Sequence, residues 1–194
     1  MLRHPDKAYP NRTRITIGGN RINYPHDVGT PTGSLELLKL LINSILSTPN
    51  AKFASFDINF FYLNTPLTRK EYTKINISDI PTEFVKEYNL QPISHNGWIH
   101  FEILKGVYGL PQAGRLANDL LRQRLNHDGY NETTTTPGLW KHNFRPITFV
   151  LTVDDFAIQY VGKDNALYLE QTLKHHYETT TDWVGNKFAG INLK

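Results

Sequence analysis

Three aspartates carry the chemistry open to this chain. Asp154 and Asp155 stand side by side in residues 148–162, TFVLTVDDFAIQYVG, and Asp57 stands alone in residues 52–64, KFASFDINFFYLN. Both runs have the β-branched and aromatic bias of buried strands. An ionised carboxylate is costly in such company unless something positive compensates it. Two neighbours on an extended strand face opposite sides, whereas a tight turn brings both tips to one end of a sheet. The reading is therefore strand, turn at Asp154-Asp155, strand, with Asp57 on a second strand of the same sheet. A polar hairpin tip is the plain alternative, because aspartate is common in turns. Three converging carboxylates suit hard, oxygen-preferring divalent cations, with magnesium first and manganese as its substitute. A pair of such ions about 3.5–4 Å apart serves in-line phosphoryl transfer.

Other segments must position these acids. Residues 34–46 place apolar side chains at 37, 38, 41, 42 and 45, which is helical spacing, with Thr32 or Ser34 as N-cap. Glycines at 106, 109 and 114 lead into a helix over about 113–127, with Leu116, Leu120, Leu121 and Leu125 as its buried stripe. Its N-terminus offers amide donors and a partial positive charge. A last helix follows Lys163-Asp164-Asn165, with Ala166, Leu167, Leu169, Leu173 and Tyr177 as apolar positions. Residues 12–24 read as a hairpin around Gly18-Gly19 carrying Arg12, Arg14 and Arg21. A solvated, aggregation-resistant edge explains those charges as well as a phosphate contact does. Within 68–105 the pattern predicts a short helix at 81–88 and a half-buried strand at 98–104 with Glu102 facing solvent. The chain ends as a turn at 180–183 and a strand over 187–194. The order of elements predicts an α+β fold, an antiparallel sheet with helices on one face.

Composition narrows the classes. The 194 residues are 39% hydrophobic and 20% charged, which favours a packed core over disorder. A net charge of +3 permits nucleic-acid binding without requiring it. No cysteine is present, so disulfides and thiolate metal sites are excluded. No apolar run reaches membrane-span length, and the start MLRHPDKAYP is too polar for a signal peptide.

Three ordered segments carry a family resemblance. FDINFFYLNTPL (56–67), GVYGLPQAGRLANDLL (106–121) and VDDFAIQYVG (153–162) together resemble the palm motifs of reverse transcriptases of LTR retrotransposons, nearer the copia type than the gypsy type. The resemblance spans roughly 57–194 and, more loosely, the leader from His4. It implies an α+β polymerase palm at 51–65 and 108–194 with a discontinuous fingers subdomain at 1–50 and 66–107. Thumb, connection and RNase H regions are expected to lie outside these residues. The implied activity is RNA-directed DNA polymerisation, a two-metal nucleotidyl transfer from dNTPs to a primer 3′-hydroxyl on an RNA or DNA template. The chain would be part of a retrotransposon polyprotein, in the cytoplasm or a virus-like particle. Asp57, Asp154 and Asp155 would be catalytic and hold magnesium, with the Ile58 carbonyl as an extra ligand. Tyr62 would pack against the nucleotide sugar, the strand having turned into a short helix after Asp57. Gln112 would contact the incoming nucleotide, and Lys7 and Arg14 would grip its triphosphate. Val153 precedes the paired acids where many retroviral enzymes have Met, and Asn59 stands where related elements often have a basic residue. Two other classes compete: a non-catalytic, nucleic-acid-binding relic of the fold, and a different metal-dependent phosphotransferase built on three acids.

Overall fold

The computed structural model describes residues 15–188 and 191–192. Lys7, Arg12 and Arg14 lie outside the described residues. The architecture is mixed, an antiparallel sheet with several helices. The strands are β1 (Ala51–Ile58), β2 (Pro66–Asn76), β3 (Trp98–Lys105), β4 (Tyr130–Glu132), β5 (Leu139–His142), β6 (Ile147–Thr152), β7 (Asp155–Val161), β8 (Thr179–Asp182), β9 (Lys187–Phe188) and β10 (Ile191–Asn192). The α-helices are α1 (Leu35–Ser47), α2 (Thr82–Glu87), α3 (Ala113–His127) and α4 (Lys163–Lys174). Six strands form one sheet in the order β4-β5-β6-β7-β1-β8, and β2 with β3 and β9 with β10 form separate ribbons.

Strand alternation decides what each face carries. Ala54, Phe56 and Ile58 of β1 and Phe156, Ile158 and Tyr160 of β7 point to one side, where Leu121 and Leu125 of α3 and Leu169 and Leu173 of α4 complete a core. The residues between them point to the other side. There Val150 of β6 and Ala157 of β7 meet Leu37, Leu38 and Leu41 of α1 and Phe188 of β9. Helices therefore cover both faces, which corrects the one-face expectation. The leucine periodicity of 34–46 identified the helix, but periodicity carries no information about which face of a sheet receives it. Ser34 caps α1 by accepting from the Leu37 N–H at 3.2 Å, as its position before the apolar run implied.

Several expected elements took a different form. Described residues 15–24 form no hairpin: Gly19–Arg21 is a single 3-10 turn, and the Ile17 N–H donates to the Tyr108 carbonyl at 2.8 Å. Residues 66–76 form an eleven-residue strand that the sequence reading did not assign. Its polar run TRKEYTKIN has few apolar markers, because among the described residues β2 pairs only with β3 and most of it is exposed. Residues 179–182, read largely as a turn, form β8, which pairs with the end of β1. On α3, Leu116 and Leu120 are half-buried, while Ala113, Ala117 and Asn118 take buried positions beside Leu121 and Leu125. Small residues at those positions let the helix lie close to its neighbours. Glu102 is exposed as expected, between half-buried Phe101 and buried Ile103. Among the described residues, no helix is long and apolar enough to cross a membrane.

Candidate metal centre

β1 and β7 run antiparallel with Asp57 directly opposite Asp155. Both residues alternate with the side chains of the α3–α4 core, so they face the opposite side of the sheet. β6 and β7 form a tight hairpin in which Thr152 pairs with Asp155, leaving Val153 and Asp154 as the two turn residues. The turn thus lies one residue earlier than the Asp154-Asp155 turn expected from sequence. The physical reason is register: Asp155 is already held in the ladder between Thr152 and Asp57. Val153 adopts φ +60°, a conformation that costs a β-branched residue roughly 1–2 kcal/mol. Such turns ordinarily use glycine at that position. The Ile58 N–H donates to the Asp154 carbonyl at 3.0 Å and ties the strained tip to the end of β1.

The three carboxylates converge as a result. One oxygen from each of Asp57, Asp154 and Asp155 lies within 4.8 Å of the other two, and all three residues are half-buried. Burial, followed by the charges of Asp154 and Asp57, pushes the Asp155 carboxyl up to about 6. A cluster that resists its own ionisation is one a divalent cation stabilises. Three hard oxygen donors, close together and partly shielded, fit magnesium or manganese.

The Asp155 shift has a testable sign. Its folded-state value, about 6, lies above the 3.8 of an unperturbed aspartate. In metal-free protein its contribution is therefore full below about pH 4 and is lost as pH rises through about 6. With part of the shift discounted for solvent exposure, the charge costs the fold about 1–2 kcal/mol at neutral pH. In EDTA, Asp155→Asn should match the wild type in stability near pH 4 and exceed it by that amount at pH 7. A difference that does not change with pH in urea unfolding would exclude this account.

Around the centre, neighbouring groups are committed to holding it. After β1, Phe60 takes φ +54° and Phe61–Asn64 form a 3-10 turn, the change of direction expected after Asp57. Asn64 Nδ2 donates to the carbonyls of Asn59 and Phe60, each at 3.1 Å. Phe61 turns into the core against Tyr177. Tyr62 is half-buried, edge-on to Tyr108 at 5.0 Å between ring centres. Asn59, noted for lacking a basic side chain, ties β1 to β8: its N–H donates to the Glu178 carbonyl at 2.9 Å, and its Oδ1 accepts from Thr180 at 3.2 Å. Ile58 is buried at the end of β1, opposite Thr179.

Gln112 is not on an open surface. It is 1% exposed, and its Nε2 donates to Glu71 at 2.8 Å. Glu71 also pairs with Arg69 at 3.0 Å. This bond fastens the first turn of α3 to β2. At 1% exposure, Gln112 can contact a nucleotide only if the groups covering it move. Sequence reasoning missed Glu71 because its strand was not recognised.

A second tie anchors β6 just before the acids. The Gly33 N–H donates to the Leu151 carbonyl at 2.7 Å, the Leu151 N–H to the Gly138 carbonyl at 2.8 Å, and Thr152 Oγ1 to the Gly33 carbonyl at 3.1 Å. Gly138 has φ +82°, and a Cβ there would meet the Gly33 nitrogen at 2.3 Å. The PG pair at 137–138 was the only sequence signal for this crossing.

No family model, no curated protein and no solved structure matches this chain.

Proposed function

We propose that this chain is the palm and fingers portion of an RNA-directed DNA polymerase of the LTR-retrotransposon kind. The observation that carries the reading is the convergence of Asp57, Asp154 and Asp155 at one end of the sheet, on the face turned away from α3 and α4. In this reading the six-stranded sheet is the palm and the β2–β3 ribbon belongs to the fingers. Asp57 and Asp154 hold the cations, with Asp155 beside them and the Ile58 carbonyl as a further oxygen. Two cations bound there would acidify the primer 3′-hydroxyl and neutralise the departing pyrophosphate. The protein's own part is positional. The Ile58–Asp154 bond and the Gly33–Leu151–Gly138 ties hold the carboxylates in place before substrate arrives.

Primer extension tests this. With magnesium and dNTPs the chain should extend a DNA primer on an RNA template, with incorporation set by template sequence. Binding of primer-template without incorporation would identify a relic, and phosphoryl transfer without template dependence would identify another phosphotransferase.

Tyr62 provides a finer test. Its ring would form the wall against a 2′-hydroxyl, so Tyr62→Ala should raise kcat/KM for ribonucleotides relative to deoxyribonucleotides about 10-fold or more. Tyr62→Phe should keep the discrimination, since the ring does the excluding. An unchanged ratio in the alanine variant would make Tyr62 a packing residue, consistent with its contact to Tyr108.

A further inference from the structure

Away from the carboxylates, α3 and α4 lie side by side and leave a groove of about 600 Å³ between them. That size falls in the range of small-molecule sites. Leu120 and Tyr168 give it an apolar floor, and Arg124, His127, His175 and His176 surround it. Three of the eight histidines in the chain thus meet in one groove with an arginine. Spacing alone does not produce this. His127 and Arg124 belong to α3, while His175 and His176 follow α4, and only the packing of the two segments brings them together.

The charges are unequally compensated. Asp128 accepts from His127 Nδ1 at 2.8 Å, which answers that imidazole. Burial opposes the charge on Asp128, but hydrogen bonds from His127 and Thr172 outweigh it and hold the carboxyl below its usual value. Arg124 stacks on the Tyr177 ring at 4.7 Å and, among the described residues, has no carboxylate partner. A guanidinium on an aromatic face keeps its charge and its remaining N–H donors for a ligand.

We propose that this groove binds a small organic anion, an acidic group carried on an aromatic or apolar body, with Arg124 and His176 at the acid and Leu120 and Tyr168 against the body. The site is separate from the carboxylate centre and does not depend on polymerase activity. Its affinity should depend on pH. Burial, then the charges of Arg124 and His175, hold His176 below the ordinary histidine value; His127 acts the same way and Asp128 against it. A bound anion favours the protonated ring, so binding takes up a proton and tightens as pH falls through the histidine range.

Benzenesulfonate is a suitable probe because it stays ionised throughout that range. Isothermal titration of the full chain should show it binding at least about 3-fold tighter at pH 5.5 than at pH 7.5. Inorganic sulfate, which lacks the apolar body, and benzyl alcohol, which lacks the charge, should each bind about 10-fold more weakly. Arg124→Gln should weaken benzenesulfonate about 10-fold. Because Arg124 also packs on Tyr177, a variant confined to the exposed rim is needed: His175→Gln should lower affinity at pH 5.5 while leaving the melting temperature unchanged. Equal binding of benzenesulfonate and benzyl alcohol would reduce the groove to an apolar crevice. Absence of binding, or binding indifferent to pH and to the rim variant, would overturn the proposal.

Discussion

Replacing Asp57 by asparagine should lower template-directed extension about 10³-fold or more while leaving the fold intact. The side chain keeps its shape, and its place opposite Asp155 is set by the backbone ladder. What is lost is one of three hard anionic donors, and charge stabilisation at such a centre is worth several kcal/mol in the transition state. The substitution also removes a like charge from the group that raises Asp155. Metal-free protein should therefore melt no lower than the wild type at pH 7. On the proposed reading magnesium or manganese should stabilise the wild type, and the variant should lose that stabilisation, as ligand-linked stability requires. Extension assays and melting curves with and without cation check the two halves separately. Retained extension would remove Asp57 from the centre. A large loss of metal-free stability would show that the carboxylate serves the fold.

Gly138→Ala should destabilise the chain by about 3 kcal/mol or more, read by urea unfolding. Two costs combine. A left-handed backbone at φ +82° penalises any Cβ by roughly 1–2 kcal/mol. The added carbon would also lie 2.3 Å from the Gly33 nitrogen, which is backbone and cannot rotate away. Gly33 must then move, and its bonds to Leu151 and Thr152 go with it. Those bonds support β6 immediately before Val153 and Asp154. Cation affinity should therefore fall with stability. A loss under about 1 kcal/mol would mean that the crossing relaxes freely.

The acids were legible from sequence because they break an apolar pattern. Asp57, Asp154 and Asp155 stand in runs whose other residues announce buried strands, so their convergence at a sheet end followed from periodicity and turn chemistry. The helices at 35–47, 113–127 and 163–174 were legible for the same reason, since each carries apolar residues at helical spacing. β2 was not, because a strand whose one partner is β3 and which stays largely exposed needs no apolar alternation. The turn was displaced by one residue because valine at positive φ is disfavoured locally. The ladder with β1 and the Ile58–Asp154 bond help compensate that strain.

By itself, then, the sequence determined that the helices at 35–47, 113–127 and 163–174 are amphipathic, roughly where they start and stop, and which acids stand out for chemistry. These properties depend on near neighbours in the chain. Only the tertiary structure decided that α1 covers the sheet face opposite α3 and α4, that Gln112 Nε2 donates to Glu71, and that Arg124 and three histidines from two segments share one groove. Each of these joins residues tens of positions apart. Their meeting is set by the packing of whole faces against one another, and a pattern read along one element cannot specify the element it will meet.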